Sequence, residues 1–289
     1  MNCQICPRKC KVDRTNKKGF CGQSEDVCIA KADLFCWEEP VVSGKNGSGA
    51  IFFSGCNLKC CFCQNYQLSH DNFGKKISIK RLSEIFKELE DKGACNINLI
   101  SPTHFAMQIM QALDIYKPAI PIIYNCNGYE SVETIDLLAK YVDVFLVDLK
   151  FCDTNLSQKY CKAKDYFDVA TKAIREMIKV QPKVVLENGL IKKGVVIRHL
   201  VMPNCIEDSK KILQWIDQNA KGKCLISLMC QYTPCFDACK FEEINRTITP
   251  LEYKVVLNFA TKLGLTDGFA QDMDSAEKKY IPVWDFKGI

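Results

Sequence analysis

From residue 50 onward, short apolar runs alternate with amphipathic segments. Runs at 50–53, 96–100, 121–126, 142–148, 194–201 and 225–229 read as strands apolar enough to be buried on both faces. Between and after them, apolar residues recur at helical spacing over 79–91, 103–116, 131–140, 166–180, 207–219 and 250–263. Ser131, followed by Glu133 and Thr134, and Thr249, followed by Pro250, are helix-start signals. Six strand–helix units in a row predict an α/β fold with a parallel sheet and right-handed crossovers. Six units suit an open, partial (β/α)6 barrel better than a closed eight-fold one. Ligands in such sheets bind at the C-terminal ends of the strands.

Residues 1–48 break this rhythm. They are cysteine-rich, polar and short of periodic apolar pattern, and they lead into the flexible stretch 43–49, Ser-Gly-Lys-Asn-Gly-Ser-Gly. The chain therefore divides into a cysteine-rich segment (1–48), the barrel (49–270) and a tail (271–289). The tail carries Tyr280-Ile281-Pro282-Val283-Trp284-Asp285-Phe286, whose aromatics predict docking onto the barrel.

Composition narrows the class. Hydrophobic residues at 47% and charged ones at 25% fit a globular protein with a substantial core. A net charge of +5, with no dense basic run interleaved with aromatics, gives no reason to expect nucleic acid. No apolar run reaches the ~18 residues of a membrane helix. The N-terminus shows no secretory pattern, so the expected location is the cytoplasm. The 19 cysteines are then better read as reduced thiols and ligands for metals or clusters than as a disulfide framework.

Three of them stand out. Cys56, Cys60 and Cys63 form Cys-x3-Cys-x2-Cys directly after the first strand, and Phe62 precedes the third. A [4Fe–4S] cluster normally takes four thiolates. Three on one loop leave one iron open to a small molecule. The competing reading is a structural zinc loop with His70 as fourth ligand. The order of strand, loop, aromatic-Cys and six strand–helix units favours the cluster.

This loop resembles the signature of the radical S-adenosylmethionine (SAM) superfamily. Further likeness lies at the strand ends: Asn125-Cys126-Asn127-Gly128-Tyr129, Asp148-Leu149-Lys150, Ile197 to Pro203, and Gln231-Tyr232-Thr233-Pro234. Together they resemble the glycyl-radical-enzyme activases, in particular the branch similar to pyruvate formate-lyase activating enzyme. That branch shares Cys-x2-Cys-Pro-Arg-x-Cys (Cys3 to Cys10), Trp37-Glu38-Glu39-Pro40 and Ser101-Pro102-Thr103-His104. The resemblance implies a [4Fe–4S] cluster, SAM, and reductive cleavage to a 5′-deoxyadenosyl radical that abstracts hydrogen. It implies Asp148 and Lys150 as contacts to the methionyl end and ribose of SAM, and Arg198 as a second partner for its carboxylate. Phe62 would pack on the adenine, with Asn127 and Gln231 as further cofactor contacts. A flavodoxin- or ferredoxin-type electron donor and a glycyl radical enzyme are the implied partners. Alternatives are a small-molecule or other protein substrate, or a non-catalytic electron carrier, which would need no SAM cradle.

The chain departs from the family pattern after strand two. Gly-Gly-Glu is usual there, and this chain has Ser101-Pro102-Thr103-His104. Ser101 and Thr103 could cap the next helix, or His104 could face the substrate. Cys3, Cys6, Cys10 and Cys21 form a second array whose four close thiolates suggest Zn(II), with iron or free thiols as alternatives. Cys230, Cys235 and Cys239 read as part of the chain's general abundance of thiols.

Overall fold

The computed structural model describes residues 2–271 and 282–289. The chain enters its sheet with β1 (Val27–Phe35) and continues through α1 (Pro40–Ser43), β2 (Ser48–Phe53), α2 (Tyr66–Ser69), β3 (Lys75–Ile77) and α3 (Ile79–Asp91). Next come β4 (Ile97–Ile100), α4 (Ala106–Ile115), β5 (Ile122–Cys126), α5 (Val132–Leu138), β6 (Val144–Asp148), α6 (Thr154–Cys161) and α7 (Tyr166–Val180). The last elements are β7 (Val185–Glu187), β8 (Leu190–Leu200), α8 (Ile206–Asn219), β9 (Leu225–Met229), α9 (Pro250–Lys262) and β10 (Gly268–Ala270).

The sheet order is β10-β9-β8-β6-β5-β4-β2-β1-β3. The six expected strands are β2, β4, β5, β6, β8 and β9. They pair in parallel and form the central part of an α/β fold consistent with a partial barrel. β10 adds a parallel strand beyond β9. β1 and β3 add antiparallel strands at the other edge.

The N-terminal segment thus contributes β1 directly to the sheet. Alanine and cysteine dilute its pattern, yet Val27, Cys28, Ile29 and Ala30 are all buried. Thr249 caps α9 in a full capping box: its hydroxyl accepts from Glu252 N–H, and the Glu252 carboxylate accepts from Thr249 N–H. Ser131 precedes α5 as expected, but its hydroxyl makes no capping bond and is buried without a partner. The helix expected from 103 begins with a 3-10 turn, Thr103–Phe105, before α4.

Two apolar layers hold the sheet. The larger lies between the strands and the helices and includes Phe86, Phe105, Phe145 and Ile174. A smaller one fills the concave side: Val41 and Val42 of α1 pack on Ile123, Val144, Leu146 and Val196. Four-residue α1 therefore plugs the interior beneath the C-terminal strand ends and carries Glu38 and Glu39 in with it. Both carboxylates lie within ion-pair distance of Arg198, at 3.1 and 3.9 Å.

Of the tail, residues 272–281, including Tyr280 and Ile281, lie outside the described residues. Beyond them, Trp284 meets Phe52 edge-on at 5.2 Å, and Phe286 stacks on Phe73 at 4.6 Å. Lys287 O accepts from Ala32 N–H at 2.9 Å, and Lys31 pairs with Asp285 at 3.0 Å. No helix among the described residues is long and apolar enough to cross a membrane.

Candidate active site

The loop after β2 turns at Gly55, whose φ of +87° belongs to the left-handed region that glycine occupies without strain. Its backbone is held from two sides. Cys56 N–H donates to Cys21 O, while Lys59 and Cys61 N–H donate to Cys161 O and Tyr160 O at the end of α6. This docking places Cys56, Cys60 and Cys63 on one wall of a cavity of about 270 Å³. Asn127, Asp148, Lys150, Arg198 and Gln231 line the same cavity from the ends of β5, β6, β8 and β9. Phe62 lines it too, packed edge-on against Tyr232 at 5.9 Å and Phe151 at 6.1 Å.

Burial pushes the Cys56 thiol up to about 12 and that of Cys63 to about 11. Such thiols give up their protons when iron supplies compensating charge. The donor set is three sulfurs on one short loop, facing fixed charges across a cavity. It fits a cluster that takes one sulfur per iron, which does not require the sulfurs to converge on one point.

The charges form one network. Lys150 Nζ donates to Asp148 Oδ2 at 2.6 Å, and Arg198 Nε donates to Asp148 Oδ1 at 2.8 Å. Burial alone would raise the Asp148 carboxyl, but Arg198 and Lys150 override it and hold it below the ordinary value. Arg198 also donates to Glu38 Oε2 at 3.1 Å and to Asn125 Oδ1 at 2.7 Å. Glu38 Oε1 in turn accepts from Asn98 and Asn125, each at 3.2 Å. Burial pushes Glu38 up to about 7 against the pull of Arg198, with Glu39 adding to the rise. Tyr166 OH joins two strand ends: it lies 2.8 Å from Asn127 O and 2.9 Å from Asp148 O, and accepts from Lys150 N–H at 3.0 Å.

Other expected positions fall elsewhere. Ser101 lines the cavity with φ +57°, a conformation uncommon for a residue with a side chain, where the family pattern has glycine. Thr103 caps no helix; its hydroxyl donates to the buried Glu130 at 2.6 Å. His104 is turned away from the cavity, buried, with Nε2 2.6 Å from Ser54 O.

Cys6 and Cys21 are buried, and Cys3 and Cys10 half-buried. Cys10 and Cys21 flank Gly19. Among the described residues, no group of three or more His, Cys, Asp or Glu is arranged to hold a metal ion, so the geometry gives zinc at Cys3, Cys6, Cys10 and Cys21 no support. Cys230 is buried and Cys239 exposed, so these two face different surroundings.

Sequence reasoning missed Glu38, Asn98 and Asn125 as site residues. A signal was present in the paired glutamates before Pro40 and in the asparagines inside otherwise apolar strands.

A family model described as the Radical SAM superfamily matches residues 50–216. An uncharacterized protein of Methanocaldococcus jannaschii, MJ0674, is 33% identical over 276 residues, covering 91% of this chain and 75% of that protein. SuiB of Streptococcus suis, solved bound to S-adenosylmethionine, superposes with a TM-score of 0.52 at 15% identity, over 75% of this chain and 48% of SuiB. Methylornithine synthase (PylB) gives a TM-score of 0.51 at 15% identity, over 81% of this chain and 68% of that enzyme. At such identities the likeness is one of fold. The chain spans just under half the length of SuiB.

Proposed function

The chain belongs to the radical SAM superfamily, and we propose that it cleaves SAM reductively at a [4Fe–4S] cluster held by Cys56, Cys60 and Cys63. One observation carries this reading: those three cysteines and the Asp148–Lys150–Arg198 network line a single cavity at the C-terminal ends of parallel strands. A cluster held by Cys56, Cys60 and Cys63 would supply the electron for reductive SAM cleavage, and with it the capacity to abstract a hydrogen atom from a substrate.

The chain's residues bind and orient. Lys150 bonds Asp148 with one of its three N–H donors and keeps the others for a carboxylate. Asp148, held ionised by Lys150 and Arg198, accepts from an ammonium or ribose hydroxyls. Arg198 spends three of its five N–H donors on Asp148, Glu38 and Asn125, so it fixes Asp148 first and reaches a ligand second. Phe62, walled by Phe151 and Tyr232, offers an apolar face to the adenine and excludes water.

The substrate we favour is a backbone glycine of a glycyl radical enzyme, with a flavodoxin- or ferredoxin-type protein as electron donor. A small molecule or another protein residue is the second reading. The strand-end motifs shared with the activases support the first.

The test is anaerobic reconstitution, EPR of the dithionite-reduced protein with and without SAM, and an assay for 5′-deoxyadenosine. The expected result is a [4Fe–4S]+ signal that changes with SAM, together with 5′-deoxyadenosine; both disappear in Cys56→Ala, Cys60→Ala and Cys63→Ala. A cluster and product that survive all three substitutions would overturn the ligand assignment.

A further inference from the structure

Each of the three loop sulfurs is met by a buried side-chain donor from elsewhere in the chain. Asn127 Nδ2 lies 3.3 Å from Cys56 Sγ. Cys161 Sγ lies 3.3 Å from Cys60 Sγ. Ser69 Oγ lies 3.2 Å from Cys63 Sγ. The main chain adds Leu58 N–H, 3.4 Å from Cys56 Sγ.

The direction of each bond follows from its surroundings. Asn127 Oδ1 accepts from Tyr129 N–H at 2.9 Å, and Nδ2 also donates to Asn57 Oδ1 at 2.7 Å, so the amide nitrogen faces Cys56. Ser69 Oγ is also 2.8 Å from His70 Nδ1. A hydroxyl has one proton and an iron-bound thiolate can only accept, so His70 donates to Ser69 and Ser69 to Cys63. By the same reasoning the shared proton of the sulfur pair belongs to Cys161. Cys161 is fully buried at the end of α6, where its carbonyl accepts Lys59 N–H of the cysteine loop at 3.2 Å.

Resting on the cluster reading above, we propose that Ser69, Cys161 and Asn127 are positioning residues that hydrogen-bond the cluster's thiolates and raise its reduction potential. Reduction adds negative charge that spreads onto the sulfurs, and donors aimed at them stabilise the reduced form. The class of ligand served is a thiolate-bound iron–sulfur cluster; none of the three residues touches iron.

The test uses the full chain, reconstituted anaerobically without SAM, and an EPR-monitored redox titration. Ser69→Ala and Cys161→Ala are expected to take up iron and sulfide as the wild type does and to titrate at more negative midpoints. Ser69→Thr and Cys161→Ser retain a donor and are expected to stay near the wild-type midpoint. Wild-type midpoints in both alanine variants would overturn the proposal. A second readout needs no variant: pulsed EPR of the reduced wild type in D2O is expected to show exchangeable deuterons coupled to the cluster, and their absence would overturn it as well. A wild-type chain that assembles no cluster overturns the cluster reading itself, and this proposal with it. That failure shows in the iron content before any potential is measured.

Discussion

Asp148 and Arg198 stand opposite one another in the β6–β8 ladder, and Arg198 Nε donates to Asp148 Oδ1 at 2.8 Å. Parallel register places both at the C-terminal end of the sheet with side chains on the concave face. From there Arg198 reaches Glu38, whose position depends on α1 plugging the interior. One guanidinium thus couples the strand ends to the floor of the cavity.

Removing that guanidinium should cost more than one hydrogen bond. Arg198→Met leaves Glu38, Glu39 and Asp148 without the cation they share, while Lys150 still pairs with Asp148. Breaking a buried pair from one side costs roughly 3–5 kcal/mol. Urea unfolding should show a loss of that order, and Glu38→Gln added to Arg198→Met should recover part of it. Strictly additive losses would mean the two residues are not coupled.

Gly55→Ala should disturb the cysteine loop. A Cβ there would lie 2.6 Å from Gln23 Cγ and 2.7 Å from Cys21 O, at a φ of +87°. The strain is expected to cost about 1–3 kcal/mol. Iron bound per chain after reconstitution should fall together with the unfolding midpoint; an unchanged iron content would show that the loop tolerates the shift.

Tyr166→Phe removes the acceptor of Lys150 N–H and the donor shared by Asn127 O and Asp148 O. Buried groups left without partners cost about 1–3 kcal/mol. Denaturant unfolding measures the loss, and wild-type stability would rule out this role for the hydroxyl.

Stability should fall as pH rises from about 6.5 through mildly alkaline values, above the range in which the buried His104 and His199, both held below the ordinary histidine value, act in the opposite direction. Burial pushes the Glu130 carboxyl up to about 8 from an ordinary 4.5, against hydroxyl bonds from Thr103 and Tyr124. Between those values the native chain holds a proton that the unfolded chain has released. The contribution is therefore present in full below about 4.5 and is lost as pH rises through about 8, with a slope of at most about 1.4 kcal/mol per pH unit. Glu130→Gln should remove this contribution from the pH dependence of the urea midpoints, leaving that of Glu38, which ends near pH 7, and the opposite one of His104 and His199 below about 6.5. A slope identical to wild type would exclude Glu130 as its source.

Local pattern carried much of this protein. The short apolar runs of strands buried on both faces and the 3.6-residue period of helices depend on neighbours in the chain, so the six parallel strands and the helix start at Thr249 were legible without coordinates. So was the spacing of Cys56, Cys60 and Cys63, because one loop holds all three. β1 escaped because alanine and cysteine weaken its alternation, and it becomes a strand through pairing with β2. The Ser131 cap failed although its sequence signal was sound: neighbouring packing buried the hydroxyl without bonding it.

What only the tertiary structure decided lies at long range. Glu38 meets Arg198 across 160 residues, and Cys60 meets Cys161 across 101. Neither pairing has a period or a spacing to betray it. Each depends on strand order, on register and on α1 filling the concave side, and these are set by burial of the whole sheet rather than by any segment of the chain.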